Sequence, residues 1–330
     1  MRAVAIYEHG GPDVIRVVDD WPAPEPGPAD AVVQVKATSL NRNDLMVRAG
    51  MPGVETTFPH VPGGDIAGVV VTAPPGRSDL EGARVVVDPM VELEGGRLVA
   101  LGENMNGGMS EEIVVPADNL VAVPDGVTFE QAAALPMAYA TAHRLLVTRG
   151  AVQEGEHVVV LGASGGLGTG AVQIAAALGA EVTAVASSPA KLARLEELGA
   201  NHLIEATGGE YGAAVWKLTG KRGADVIVDP IGQATWAATM RTVAKGGRIL
   251  VCGALTGHDV MTDLRYLWVR EATIIGSDGF TRRDLEAVLA LVASGRMLPV
   301  IDRVVGFHDV AAAQRDMEAR RVFGKVIVIP

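Results

Sequence analysis

Val158-Val159-Val160-Leu161-Gly162-Ala163-Ser164-Gly165-Gly166-Leu167-Gly168 is an unbroken apolar run that ends in clustered glycines, and small and apolar residues follow at helical spacing over 169–178. That order predicts a buried parallel strand, a tight turn and a helix. Gly162, Gly165 and Gly168 recur every third residue, and each position has its own use for a missing side chain: the turn, close backbone approach to a pyrophosphate, and helix-on-strand packing. Phosphates would rest at the helix N-terminus, where unpaired N–H groups and the helix dipole favour negative charge, with Ser164, Gly166 and Leu167 completing the turn around them. A plain strand-to-helix connection can carry the same glycines, so the flanking pattern decides between the two.

The pattern continues as a nucleotide fold requires. Residues 181–186 supply a second apolar strand, and Ser187-Ser188-Pro189 opens a helix that stops at Gly199. Further strands are expected at 202–204, 226–228, 249–252 and 273–275. With helical patterns between them, right-handed crossovers leave a doubly wound parallel sheet. About 20 residues past such a turn, NAD-selective folds place an acidic residue on the ribose hydroxyls. This chain has Ser187, Ser188 and Lys191 there, which donate to a 2′-phosphate that a carboxylate would repel. NADPH is therefore the expected cofactor, although Ser188 is equally suited to capping the helix.

With 330 residues, two domains are the natural expectation. The net charge of −11 argues against a nucleic-acid surface. Cys252 is the only cysteine, which excludes an intramolecular disulfide and a multi-cysteine metal cluster. Neither a signal-peptide start nor an apolar segment of membrane-spanning length is visible, so the expectation is a cytoplasmic protein with no membrane partner. Residues 1–126 hold short strands, clearest at 32–37, 68–72 and 83–87, punctuated by Pro and Gly. Asp125-Gly126 makes a turn, and Thr128 with Gln131 has capping-box spacing, which sets the first boundary. Beyond 279, a helix (282–294), a strand (301–305), a helix (310–318) and a strand (325–329) are too little for a separate core. Residues 280–330 should therefore return to the domain of 1–126, with 127–279 inserted as the nucleotide-binding domain.

Four stretches now stand together: Asn41-Arg42-Asn43-Asp44 through Arg48-Ala49-Gly50, Pro62-Gly63-Gly64-Asp65-Ile66-Ala67-Gly68, the glycine turn followed by Gln173, and Phe323-Gly324-Lys325-Val326. With them the chain resembles the medium-chain dehydrogenase/reductase superfamily over essentially its whole length, and within it the zinc-independent quinone oxidoreductase branch. The resemblance implies an α/β Rossmann sheet inserted in a β-rich GroES-like catalytic domain, and a homodimer joined near 273–275. It also implies cofactor contacts from Thr141, Cys252, Gly253, Asp278, Gly279, Phe280 and Lys325.

In zinc-using relatives, the positions matching Asn41, Gly64 and Met137 hold the catalytic metal. Zinc wants thiolate, imidazole or carboxylate, so these three are poor ligands, and the lobe at 88–107 has no cysteine for a structural zinc. Asp65 is a single carboxylate, and His60 and His143 read as ordinary histidines. No metal is expected. Without a Lewis acid, alcohol oxidation loses its means of lowering the alcohol pKa. Reduction of a quinone or of an α,β-unsaturated carbonyl compound needs instead a donor for the oxygen that gains charge. Asn41 is the candidate donor, or else a helix cap. Tyr139 is the candidate proton donor, and Asp44 with Arg48 has the spacing of an i,i+4 ion pair. Ala176 and Ala206 depart from residues common in the quinone branch and weaken a subfamily assignment. The expected function is NADPH-dependent reduction of such small molecules; the alternatives are a zinc-independent alcohol or carbonyl dehydrogenase and a cofactor-binding protein with little turnover.

Overall fold

The structure, a computed structural model, describes residues 1–93 and 95–330. The chain forms two compact units, Met1–Met137 with Leu285–Pro330, and Ala138–Asp284. The second is inserted in the first.

The first unit is built on a seven-stranded sheet. Edge to edge run Ile301–Gly306, Lys325–Ile329, Asp30–Ser39, Asp65–Thr72, Arg84–Val87 and Leu120–Ala122, and Glu112–Pro116 also pairs with Asp30–Ser39. Pairing is antiparallel except between Ile301–Gly306 and Lys325–Ile329. Valines on the inner face, among them Val33, Val35, Val85, Val87 and Val115, make one core with Ile66. The tail closes a second, where Val310, Val326 and Val328 pack with Val4, Leu40 and Met109. Gly68 is required by close strand approach, because a Cβ there would lie 2.1 Å from the Gln34 carbonyl oxygen.

Both domain boundaries lie further along the chain than expected. The Thr128–Gln131 capping box does form, with bonds of 2.9 and 3.2 Å, yet the helix it opens, Phe129–Ala133, packs on Asp30–Ser39 and Asp65–Thr72 and so stays with the first unit. At the other end the second unit extends to Asp284, whose carboxylate is held by His143 (2.9 Å) and Thr148 (2.7 Å).

The second unit holds a six-stranded, all-parallel sheet in the order His202–Glu205, Glu181–Ala186, His157–Val160, Ala224–Val228, Val243–Val251, Thr273–Gly276. The direction of strand addition reverses at His157–Val160, the strand that leads into the glycine turn. Strand Val243–Val251 starts six residues before the expected 249, because Lys245-Gly246-Gly247 reads as a loop while the ladder runs past it through a register shift. Two short π-helices, Leu135–Ala140 and Arg144–Arg149, flank Thr141–His143. Such wide turns are rare and cluster at functional sites. Among the described residues no helix is long and apolar enough to cross a membrane.

Candidate active site

The helix Arg42–Ala49 starts from Asn41 in extended backbone, and its first turn is capped by Asp44, whose carboxylate accepts the N–H of Asn41 (2.6 Å) and of Gly63 (3.0 Å). Asn41 and Asp44 thus stand as a capping box at the helix start, and the Asn41 side chain has further partners as well. Its Nδ2 donates to Asp65 Oδ2 (2.8 Å), and its Oδ1 accepts from Lys325 Nζ (2.5 Å). Asp65, fully buried, also accepts from Ser39 Oγ (2.6 Å), Lys325 Nζ (3.0 Å) and the Met137 N–H (2.9 Å). The third Lys325 bond goes to the Leu40 carbonyl at 3.0 Å.

Asn41, Gly64 and Met137 line one small cavity, together with Asn43, Asp44 and Glu103. The three positions aligned with zinc ligands do converge, but their donor set is a carboxamide, no side chain and a thioether. That set does not fit zinc. Asp65 is spent on Lys325, and among the described residues no three His, Cys, Asp or Glu side chains are grouped to hold a metal.

Three expectations are corrected here. Asp44 and Arg48 do not pair: Asp44 is drawn back to the helix start, while Arg48, in the last turn, reaches Gln314 Oε1 (2.5 Å), Glu318 and the Gly10 carbonyl (3.1 Å). Lys325 is not available to a cofactor, because all three ammonium protons are used inside the first unit. Tyr139 is fully buried with its hydroxyl 3.2 Å from Thr169 Oγ1, so it is not placed to protonate a substrate. His143, half-buried and bonded to Asp284, is an ordinary structural histidine. His60 is a core histidine, its Nε2 3.1 Å from the Gly102 carbonyl, and burial lowers its pKa.

In the second unit the glycine turn fits a pyrophosphate. Gly162 has φ +62°, and a Cβ on Gly168 would lie 2.4 Å from the Gly162 oxygen, so both are fixed by the chain's own packing. A Cβ on Gly165 would meet only the Gly162 oxygen, at 3.6 Å; the open space there is what a phosphate needs. Gly165 is the N-cap of helix Gly166–Ala177, whose first N–H groups, from Gly166, Leu167 and Gly168, have no intrahelical acceptor. Half-buried Ser164 lies in the same turn. At the end of strand Glu181–Ala186, Ser187 is exposed, and Ser188 occupies an N-cap position without a side-chain cap bond. The capping alternative for the Ser188 hydroxyl is thus not used, and Lys191, half-buried, is one turn along the same helix.

A larger cavity of about 560 Å³ opens at the carboxyl ends of strands Val243–Val251 and Thr273–Gly276, the end at which parallel sheets bind ligands. It gathers Cys252, Gly253 and Asp278 with Arg144, Arg149 and Ser277; Thr141, Gly279 and Phe280 are not in its lining. Ser277 Oγ and Arg144 Nε are buried without a hydrogen-bond partner, and such orphaned groups fit a polar ligand such as a nicotinamide. Burial, with Asp229 nearby, pushes the Cys252 thiol up to about 12, so it is no nucleophile. Arg144, Arg149 and Ser277 were missed from sequence; the two arginines, bounding the helical run Leu145-Leu146-Val147-Thr148, were the available signal.

Comparison with known proteins agrees with this architecture. Residues 27–125 match the alcohol dehydrogenase GroES-like domain family and residues 166–294 the zinc-binding dehydrogenase family. Crotonyl-CoA reductase of Streptomyces avermitilis is 30% identical, over 94% of this chain and 81% of that one. Human quinone oxidoreductase is 27% identical, over 93% and 89%. Among solved structures, an NAD-dependent alcohol dehydrogenase superposes with a TM-score of 0.94 at 35% identity and covers both chains fully. A crotonyl-CoA carboxylase/reductase, AntE V350A, in complex with NADP gives 0.89 at 25%, covering 100% of this chain and 94% of that one. On these matches and on its inserted parallel sheet, the chain is an oxidoreductase that belongs to the medium-chain dehydrogenase/reductase superfamily.

Proposed function

We propose that the protein reduces the activated double bond of α,β-unsaturated carbonyl compounds, or a quinone, with NADPH and without zinc. The observation that carries this reading is the cavity at Asn41, Gly64 and Met137, where a carboxamide donor stands in a place whose side chains do not suit a metal. NADPH, when bound, supplies the hydride. Asn41 has a second Nδ2–H beyond the one given to Asp65, and this donates to the conjugated oxygen on which charge develops. With Tyr139 buried, the proton that completes the reaction comes from solvent. In the second unit the first-turn N–H groups after Gly165 hold the pyrophosphate, and Ser187, Ser188 and Lys191 donate to the 2′-phosphate.

Relatives named for crotonyl-CoA and for quinones support the substrate class. The test is reduction of a panel of enones, enoyl thioesters and quinones with NADPH carrying deuterium at the transferred position. Label at the β-carbon of the enone product is expected. Label at the carbinol carbon, or activity that vanishes with a chelator alongside one zinc per chain, sinks the proposal. Equal efficiency with NADH and NADPH removes the cofactor assignment. Quinone products keep no diagnostic label and are scored by absorbance alone.

A further inference from the structure

We infer that Lys325 and Asp65 form a clamp that holds the Asn41 carboxamide in one of its two orientations and leaves a single Nδ2–H to serve the cavity. Its catalytic consequence rests on the function proposed above; the clamp itself does not. A carboxamide has nearly the same shape either way round, so only its partners fix which end is the donor. Here the partners are unambiguous. An ammonium can only donate, and it lies 2.5 Å from Oδ1; an ionised carboxylate can only accept, and it lies 2.8 Å from Nδ2. Turned over, the amide would set N–H groups against an ammonium and a carbonyl against a carboxylate.

Neither half of the clamp can drift. Lys325 is 3% exposed and anchored by the Leu40 carbonyl, and Asp65 is pinned by Ser39 and the Met137 N–H. One Nδ2 proton is used on Asp65, so the other is the remaining donor of a side chain that lines the cavity. The ammonium does more than orient. By drawing electron density toward Oδ1 it makes the amide nitrogen a stronger donor, since hydrogen bonds in a low-dielectric chain polarise one another. The pair also presents little net charge, so an oxyanion beside Asn41 is not opposed by Asp65. Lys325 is thus a positioning residue that acts through Asn41 without touching substrate.

The experiment uses the full chain, labelled with ¹⁵N only at its six asparagines. The Asn41 side-chain signals are assigned by their loss in Asn41→Ala, and their hydrogen exchange is followed in three further variants. Exchange in Lys325→Met should be about tenfold faster, as expected when roughly one net hydrogen bond is lost, and Lys325→Arg should restore protection. Asp65→Asn with Lys325→Met leaves no buried charge and covers the case in which the single variant does not fold; the same faster exchange is expected there. Unchanged exchange in a folded variant overturns the clamp. In turnover, Lys325→Met should lower kcat at unchanged KM for NADPH, and Asn41→Ala with Lys325→Met should be no slower than Asn41→Ala alone. Effects that multiply would show that Lys325 does not act through Asn41. If the wild-type protein reduces neither enones nor quinones, the functional reading falls while amide exchange still decides the clamp.

Discussion

Asp65 in the first unit and Asp229 in the second are both closed off from solvent, at 0% and 1% exposure, yet they are satisfied in opposite ways. Asp229 sits just past strand Ala224–Val228 and, among the described residues, accepts from neutral donors alone: the Ile231 and Gly232 N–H groups and the hydroxyls of Thr235 and Thr239. Asp65 accepts from hydroxyl, amide and backbone groups as well, but its arrangement includes a buried ammonium. Dipoles satisfy an anion without cancelling it, and the field of Asp229 is felt at the Cys252 thiol, where it adds to the effect of burial. That is harmless in a carboxylate whose work is to tie down a turn. Beside a cavity that, on the proposed function, receives developing negative charge it would be costly, and there the chain has placed a cation.

The sharpest way to break this contrast is Lys325→Met. It strands a buried carboxylate and should cost about 3–5 kcal/mol in urea unfolding, whereas changing Asp65 and Lys325 together to apolar residues should recover most of that loss. A cost near that of an ordinary hydrogen bond would show Asp65 to be no different from Asp229. A second test concerns Asp44, on the same cavity. Burial pushes its pKa up to about 7 from an ordinary 3.8, outweighing the N–H bonds from Asn41 and Gly63 and the charge of Lys325. A raised carboxyl pKa means stability fully present below 3.8 and lost as pH rises through about 7. Relative to Asp44→Asn, the wild-type protein should therefore lose up to about 1.4 kcal/mol per pH unit across that window. Taking the difference cancels His60 and His157, whose burial lowers their pKa and whose stabilising contribution fades as pH falls below 6.5. The smallest effect belongs to the neutral site: Thr239→Val should cost about 1–2 kcal/mol and leave kcat unchanged. A matching fall in kcat would give Asp229 a part in the reaction.

The fold was legible where chemistry is local. The run from Val158 to Gly168 determines a strand, turn and helix within a few residues. The tail was read as a helix at 310–318 and a strand at 325–329, and those are the elements formed, because apolar periodicity and its breaks lie side by side there. Strand Val243–Val251 was half hidden, since glycines that signal a loop can also sit in a strand whose register slips. Asn41 could be picked out, but its partners could not. Asp65 lies 24 residues from it and Lys325 lies 284 away, and no spacing rule connects them. The spacing rule that was available, i to i+4, gave the wrong partner for Asp44, because a helix-start carboxylate turns back toward free N–H groups rather than outward to an arginine.

The separation between Asp65 and Lys325, 260 residues along the chain, has a consequence in time. At ribosomal rates of about 5–20 residues per second, roughly ten to fifty seconds pass between the synthesis of the acid and that of its counter-ion. Through that interval Asp65 has no ammonium, and taking the carboxylate out of water without its counter-ion is costly. That cost favours a hydrated start of strand Asp65–Thr72 while Ala138–Asp284, whose sheet closes within its own span, emerges and becomes able to fold. Only strand Lys325–Ile329 then delivers the missing charge and the missing edge to Asp30–Ser39 in one step. Half-made chains are therefore biased against closing an acidic centre that has nothing to balance it, and the Asn41 cavity gains its last partner only when Lys325 arrives.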